Sequence, residues 1–93
     1  MAAHVAYHTP MQGIIPVVSA QPASSELVAA GNTGTAQAGR NQVATVTATA
    51  DVYITFGATP SLPSSTNGHR MKNGQTRDFG NLQAGWVMRV AAV

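Results

Sequence analysis

The stretch Val43–Pro60, V-A-T-V-T-A-T-A-D-V-Y-I-T-F-G-A-T-P, decides the fold. Ala44, Val46, Ala48, Ala50, Val52, Ile54 and Phe56 take its even positions, and Thr45, Thr47, Thr49, Asp51, Tyr53 and Thr55 its odd ones. Strict period-two alternation gives an extended chain one apolar and one polar face. Thr, Val, Ile, Tyr and Phe also suit a pleated, half-buried surface. Gly57 and Pro60 end the run, since neither sits well inside a strand. The run from 42 to 57 exceeds an ordinary strand, so a bend near Thr49-Ala50-Asp51 is expected, with strands at about 42–48 and 52–57. The T-x-T pattern is shared with ice-binding solenoids, but a solenoid needs a fixed repeat through the chain, and this chain has none.

Residues on either side extend the β reading. Trp86, Met88, Val90 and Ala92 alternate with Val87, Arg89 and Ala91, which predicts a final strand with Trp86 anchoring one end of the core. His69–Lys72 and Gln75–Phe79 flank Asn73-Gly74, a strong hairpin signal, with Met71 and Phe79 facing inward. Residues 58–68 and 31–41 read as surface loops. The second, G-N-T-G-T-A-Q-A-G-R-N, lacks the Lys-Ser/Thr ending of a phosphate-binding loop. Ser25–Ala29 reads as a strand or one helical turn, and Pro16 makes residues 13–19 an edge strand or a bulge. Residues 1–18 read as an arm with an edge strand, and residues 19–93 as a single small domain. The expected core is Val46, Val52, Ile54, Phe56, Phe79, Trp86, Met88 and Val90. The fold class is all-β, a small β-sandwich or jelly-roll-like barrel with an extended N-terminal arm.

Composition bounds the function. A chain of 93 residues allows one domain. Size scaling gives a folded surface of roughly 5,100 Å² against about 13,900 Å² unfolded, which leaves a small core. Cysteine is absent, so no disulfide supports that core and no thiolate serves as ligand or nucleophile. Small domains without such staples often gain stability from neighbours. Charged residues make up only 9% of the chain, which suits a surface covered by other subunits.

The net charge of +2 is too small for a nucleic-acid binder, which needs clustered Lys and Arg; Arg70, Lys72 and Arg77 are the only local concentration. No cofactor is expected. His4 and His8 have the spacing of a helical metal pair, but the local sequence is not helical and no third ligand is near. Ser61, Ser64 and Ser65 have no adjacent general base, so hydroxyls serving turn backbone are the expected role. No apolar run approaches the length of a membrane helix, and no secretory leader is evident, so synthesis in a cytoplasm is expected.

The segments V-Y-I-T-F-G-A-T-P (52–60), M-K-N-G-Q (71–75) and F-G-N-L-Q-A-G-W-V-M-R-V-A-A (79–92) resemble a type of small tailed-bacteriophage virion protein. The shared order is a strand ending in Phe-Gly, x-x-Pro, a loop, a short strand, a Gly turn, an aromatic, Gly and a final apolar strand. The resemblance covers about residues 41–92 and implies a β-sandwich or jelly-roll-like fold in a virion, commonly as a head decoration (cement) protein. It implies no active-site residues. The partners would then be the major capsid protein and neighbouring copies of the chain, a trimer being one form, with no nucleic acid and no membrane. The chain would be made in the host bacterial cytoplasm and reside on the capsid surface. Extended arms add strands to a neighbour's sheet edge, so contact residues are expected at Val5, Tyr7, Ile14, Ile15 and Val17. Arg40, Arg70 and Lys72 are added as contact residues, and Arg70, Lys72 and Arg77 would make electrostatic contact with an acidic partner patch. Competing readings are a tail or head–tail component, a carbohydrate- or host-surface-binding module stacking on Trp86, Tyr53 or Tyr7, and, more remotely, a Ser/His/Asp hydrolase.

Overall fold

A computed structural model describes residues 2–8, 10–11, 17–18 and 24–93, the side chains of 10–11 and 17–18 excepted. The strands are β1 (Ala2–His8), β2 (Pro10–Met11), β3 (Val17–Val18), β4 (Ser24–Ala29), β5 (Val43–Ala48), β6 (Val52–Gly57), β7 (His69–Met71), β8 (Thr76–Phe79) and β9 (Val87–Ala92). They form a four-stranded sheet ordered β4-β1-β5-β8, a three-stranded sheet ordered β7-β6-β9, and a small β2-β3 ribbon. Every pairing is antiparallel. The fold is all-β, and its accessible surface of 5364 Å² is close to the size expectation.

One core lies between the two larger sheets. Ala3, Val5, Tyr7, Val28, Ala44, Val46 and Ala48 enter it from the four-stranded sheet, and Val52, Ile54, Met71, Met88 and Val90 from the other. The alternation read in Val43–Pro60 is realised directly. Ala44, Val46 and Ala48 of β5 and Val52 and Ile54 of β6 are buried, while Thr45, Thr47, Tyr53 and Thr55 are half-exposed. The bend falls at residues 49–51, where the chain leaves one sheet for the other.

The Asn73-Gly74 segment does not close a hairpin. β7 pairs with β6 and β8 pairs with β5, so the turn between them carries the chain across the two sheets. A two-residue hairpin of the favoured type needs positive φ at both central residues. Only Gly74 has it, at +83°, with Gln75 N–H donating to Lys72 O at 2.9 Å. That geometry is a type II turn, which does not match the twist of a paired ribbon. The turn instead docks on the bend at 49–51. Gly74 N–H donates to Ala48 O at 2.8 Å, Ala48 N–H to Gln75 O at 3.0 Å, and Asn73 N–H to Asp51 Oδ1 at 2.9 Å. β5–β6 and β7–β8 thus form one long ribbon folded at a shared corner.

The expected N-terminal arm is a strand of the sheet. β1 lies between β4 and β5 and pairs with both over nearly its whole length. Its odd-numbered residues Ala3, Val5 and Tyr7 face the core and are fully buried. Val5 and Tyr7 therefore cannot be free contact residues, and a boundary at residue 18 would cut through the four-stranded sheet. Partners on both sides supply the hydrogen bonds of this short strand, which an edge position would have left half unmade. Ile14 and Ile15 lie outside the described residues, and Val17 sits in β3.

Ser24–Ala29 is a strand, which removes the helical alternative. Residues 31–38, read as a free surface loop, run along β9. Gly31 N–H donates to Val90 O at 2.7 Å, Gly34 N–H to Met88 O at 2.7 Å, and Ala38 N–H to Trp86 O at 2.8 Å. In return Val90 N–H donates to Asn32 O and Gly85 N–H to Ala38 O. The loop supplies the backbone partners that β9 would otherwise lack on its outer edge.

Candidate functional site

Folding the ribbon at its corner brings its two far ends together. The end of β6 places Thr55 and Phe56 there, the start of β7 adds His69, and the end of β8 adds Phe79. The return loop to β9 contributes Gly80, Leu82 and Trp86, and Asn67 closes the rim. These residues line a cleft of about 290 Å³. That is near the lower end of ligand-pocket sizes and exceeds the ~150 Å³ that holds a lone benzene ring.

Aromatic contacts build the cleft. The Phe56 and Phe79 rings are tilted at 49° with centroids 5.3 Å apart, and His69 lies 5.0 Å from Phe79. Tilted pairs at this separation are worth about 0.5–1.5 kcal/mol beyond simple burial. The Arg77 guanidinium stands over the same Phe79 ring, 5.4 Å from its centroid. Arg77 pairs with inward-facing Val46, so it projects from the inner face of edge strand β8 while remaining exposed.

Phe56, Phe79 and Trp86 were expected in the core. They border it and remain half-exposed: Phe56 and Phe79 lie at the ends of β6 and β8, and Trp86 just precedes β9. The fully buried members of the expected set are Val46, Val52, Ile54, Met88 and Val90.

Of the cleft's polar side chains, Thr55 and Asn67 are engaged within the chain, and no hydrogen bond among the described residues reaches the His69 imidazole or the Trp86 indole N–H. Thr55 Oγ1 donates to Ser61 O at 3.0 Å. Asn67 Oδ1 accepts from Ser64 N–H at 2.7 Å and Ser64 Oγ at 2.9 Å, and its amide donates to Leu62 O at 3.4 Å. The serine cluster thus satisfies loop geometry.

Arg70 and Lys72, expected as electrostatic contacts, are exposed and line a second, shallow depression with Asn73, Gly74 and Gln75 at the corner. Arg40 is exposed on the far loop, remote in sequence from both, and lines neither depression. The histidines of β1 do not form a metal pair. Four residues apart on a strand they lie ~13 Å from each other, and His4 is exposed while His8 is buried. Among the described residues no group of three or more His, Asp or Glu is placed to hold a metal ion. Nor does any helix there have the length and apolarity to cross a membrane.

One titratable group is displaced. The Tyr7 hydroxyl is buried without a hydrogen-bond partner. Burial first, and the Glu26 carboxylate second, push its pKa from 10.0 up to about 12. Glu26 itself ties β4 to the covering loop, accepting Ala36 N–H at 2.8 Å and Thr35 Oγ1 at 3.0 Å.

The sequence reading missed the cleft because its members come from four separate segments. One signal was present: Phe56-Gly57, Phe79-Gly80 and Gly85-Trp86 each set an aromatic ring against a glycine at a strand end. In comparisons with known proteins, the chain matches no family model, no curated protein and no solved structure.

Proposed function

We propose that the chain is a non-enzymatic structural subunit of a larger assembly, in the specific form of a tailed-bacteriophage capsid decoration protein. It would sit on the capsid surface, bound to the major capsid protein and to neighbouring copies of itself. The observation that carries the reading is the half-exposed aromatic cluster of Phe56, Phe79 and Trp86 beside two strand edges, β7 and β8, that meet no backbone partner among the described residues. Exposed aromatics in a concave site are the usual anchors of protein interfaces. The resemblance of about residues 41–92 to virion proteins supplies the particular setting. Binding the assembled shell and not its separated parts would shift the equilibrium toward the intact shell.

With Val5 and Tyr7 buried, the contacts fall on the cleft and on Arg70 and Lys72. The carbohydrate-binding reading has Trp86 in its favour, but Thr55 and Asn67 are already engaged, which leaves only His69 and the Trp86 indole N–H in the cleft to meet sugar hydroxyls. Mass-spectrometric copy number in purified particles tests the proposal. Several hundred copies per particle support decoration. A ring-like number of about six or twelve points to a tail or connector component, and absence from the particle overturns the virion assignment.

A further inference from the structure

The geometry points to the cleft as a socket for one aromatic side chain of an extended, acidic partner segment. The inference builds on the reading of the chain as a binding subunit, but not on the virion setting. Three observations converge on this occupant. The volume of about 290 Å³ has room for an aromatic ring together with its backbone, and the Phe56, Phe79 and Trp86 lining suits that ring; Thr55 and Asn67 are engaged within the chain, which leaves His69 and the Trp86 indole as the polar groups facing a guest.

The second observation is charge. Arg77 stands at the cleft over Phe79, and Arg70 and Lys72 follow along the β7 side toward the corner. The carboxylates of this region are occupied elsewhere. Asp78 points to the outer face and accepts Thr45 Oγ1 at 2.8 Å, and Asp51 accepts the Asn73 amide. Counting Arg70, Lys72 and Arg77 against Asp51 and Asp78 leaves this side positive by one; Arg77 is the cation beside the cleft, while Arg70 and Lys72 lie toward the corner.

The third observation is backbone. β7 and β8 end their sheets, and no backbone hydrogen bond among the described residues reaches their outer edges. An extended segment can add to such an edge. A second copy of this chain fits poorly. A two-fold axis pairs each face with itself, so the centred registers of β8 against β8 set Arg77 opposite Arg77 or Asp78 opposite Asp78. Like charges directly opposite are destabilising.

Trp86 is the only tryptophan, so its emission reports occupancy of the cleft without a label. The full chain is titrated with a capped peptide carrying one phenylalanine followed by four acidic residues. A saturable change is expected, weakened about tenfold or more when the peptide's phenylalanine becomes alanine. Replacing the acids by lysines, adding ~0.5 M salt, or making Arg77→Glu should each weaken it several-fold, since all act on exposed charge. Far-UV circular dichroism confirms that the variant keeps its sheet.

No saturable change, equal binding of the lysine peptide, or an equal response to methyl glucoside would overturn the inference. So would a concentration-dependent emission change of the chain alone, which would mean self-association through the cleft. Peptide binding without virion incorporation would retain the socket and discard the capsid setting; the converse would do the reverse.

Discussion

The two sides of the molecule are finished differently. On the side of β4 and β9, residues 31–38 cover the β9 edge with backbone hydrogen bonds, and Glu26 fastens the cover to β4. Small residues make this possible: a Cβ at Gly34 would stand 2.5 Å from Glu26 Oε1 and 3.2 Å from Met88 O. On the side of β7 and β8 nothing comparable is found among the described residues. The edges are short, an inward-facing Arg77 guards one of them, and aromatic rings stay half-exposed. Inward charges on edge strands discourage indiscriminate pairing. The β9 edge is thus closed by the chain itself, while the β7 and β8 edges meet no backbone partner among the described residues.

The most damaging test of this contrast is removal of Ala2–His8. If β1 is an internal strand, the truncated chain should lose cooperative unfolding altogether, as seen by circular dichroism and NMR dispersion. A folded truncation would restore the arm and dissolve the closed side. Next in size is Gly34→Val, which forces the cover off β9. It should cost about 3 kcal/mol in urea melts, at the upper end of overpacking penalties, with hydrogen exchange rising at Val90.

Glu26→Ala should cost about 2 kcal/mol, because the Ala36 amide loses its charged acceptor in a half-buried site. The same variant tests the Tyr7 proton. Its folded pKa is raised, so the stabilisation is fully present below pH 10 and is lost as pH rises toward about 12, where the unfolded chain ionises first. Without Glu26 the alkaline loss should set in over a narrower window, read by tyrosinate absorbance. Smallest of all, Arg77→Ala on the open side should change stability by less than about 0.5 kcal/mol. A larger loss would show that the open side is structural.

Much of the scaffold was legible in local pattern. The alternation in Val43–Pro60 announced both strands and their bend, because period-two burial is a property of neighbours along one chain. The cleft was not legible in this way. Phe56, Phe79 and Trp86 look like core residues in any window, and only the folded ribbon shows that they meet at the margin of the core. The Asn73-Gly74 pair misled for a related reason. A turn sequence states which φ values are affordable, while the strands that follow choose their partners across the whole chain.

By itself, then, the sequence determined an all-β chain with small core residues, no cysteine chemistry and a charge-poor surface, since composition and alternation are local quantities. Tertiary structure alone decided that Ala2–His8 is a central strand, that residues 31–38 seal one edge, and that three aromatic rings meet beside Arg77. Those outcomes depend on non-local pairing, in which each strand's hydrogen bonds are completed by residues far away in sequence.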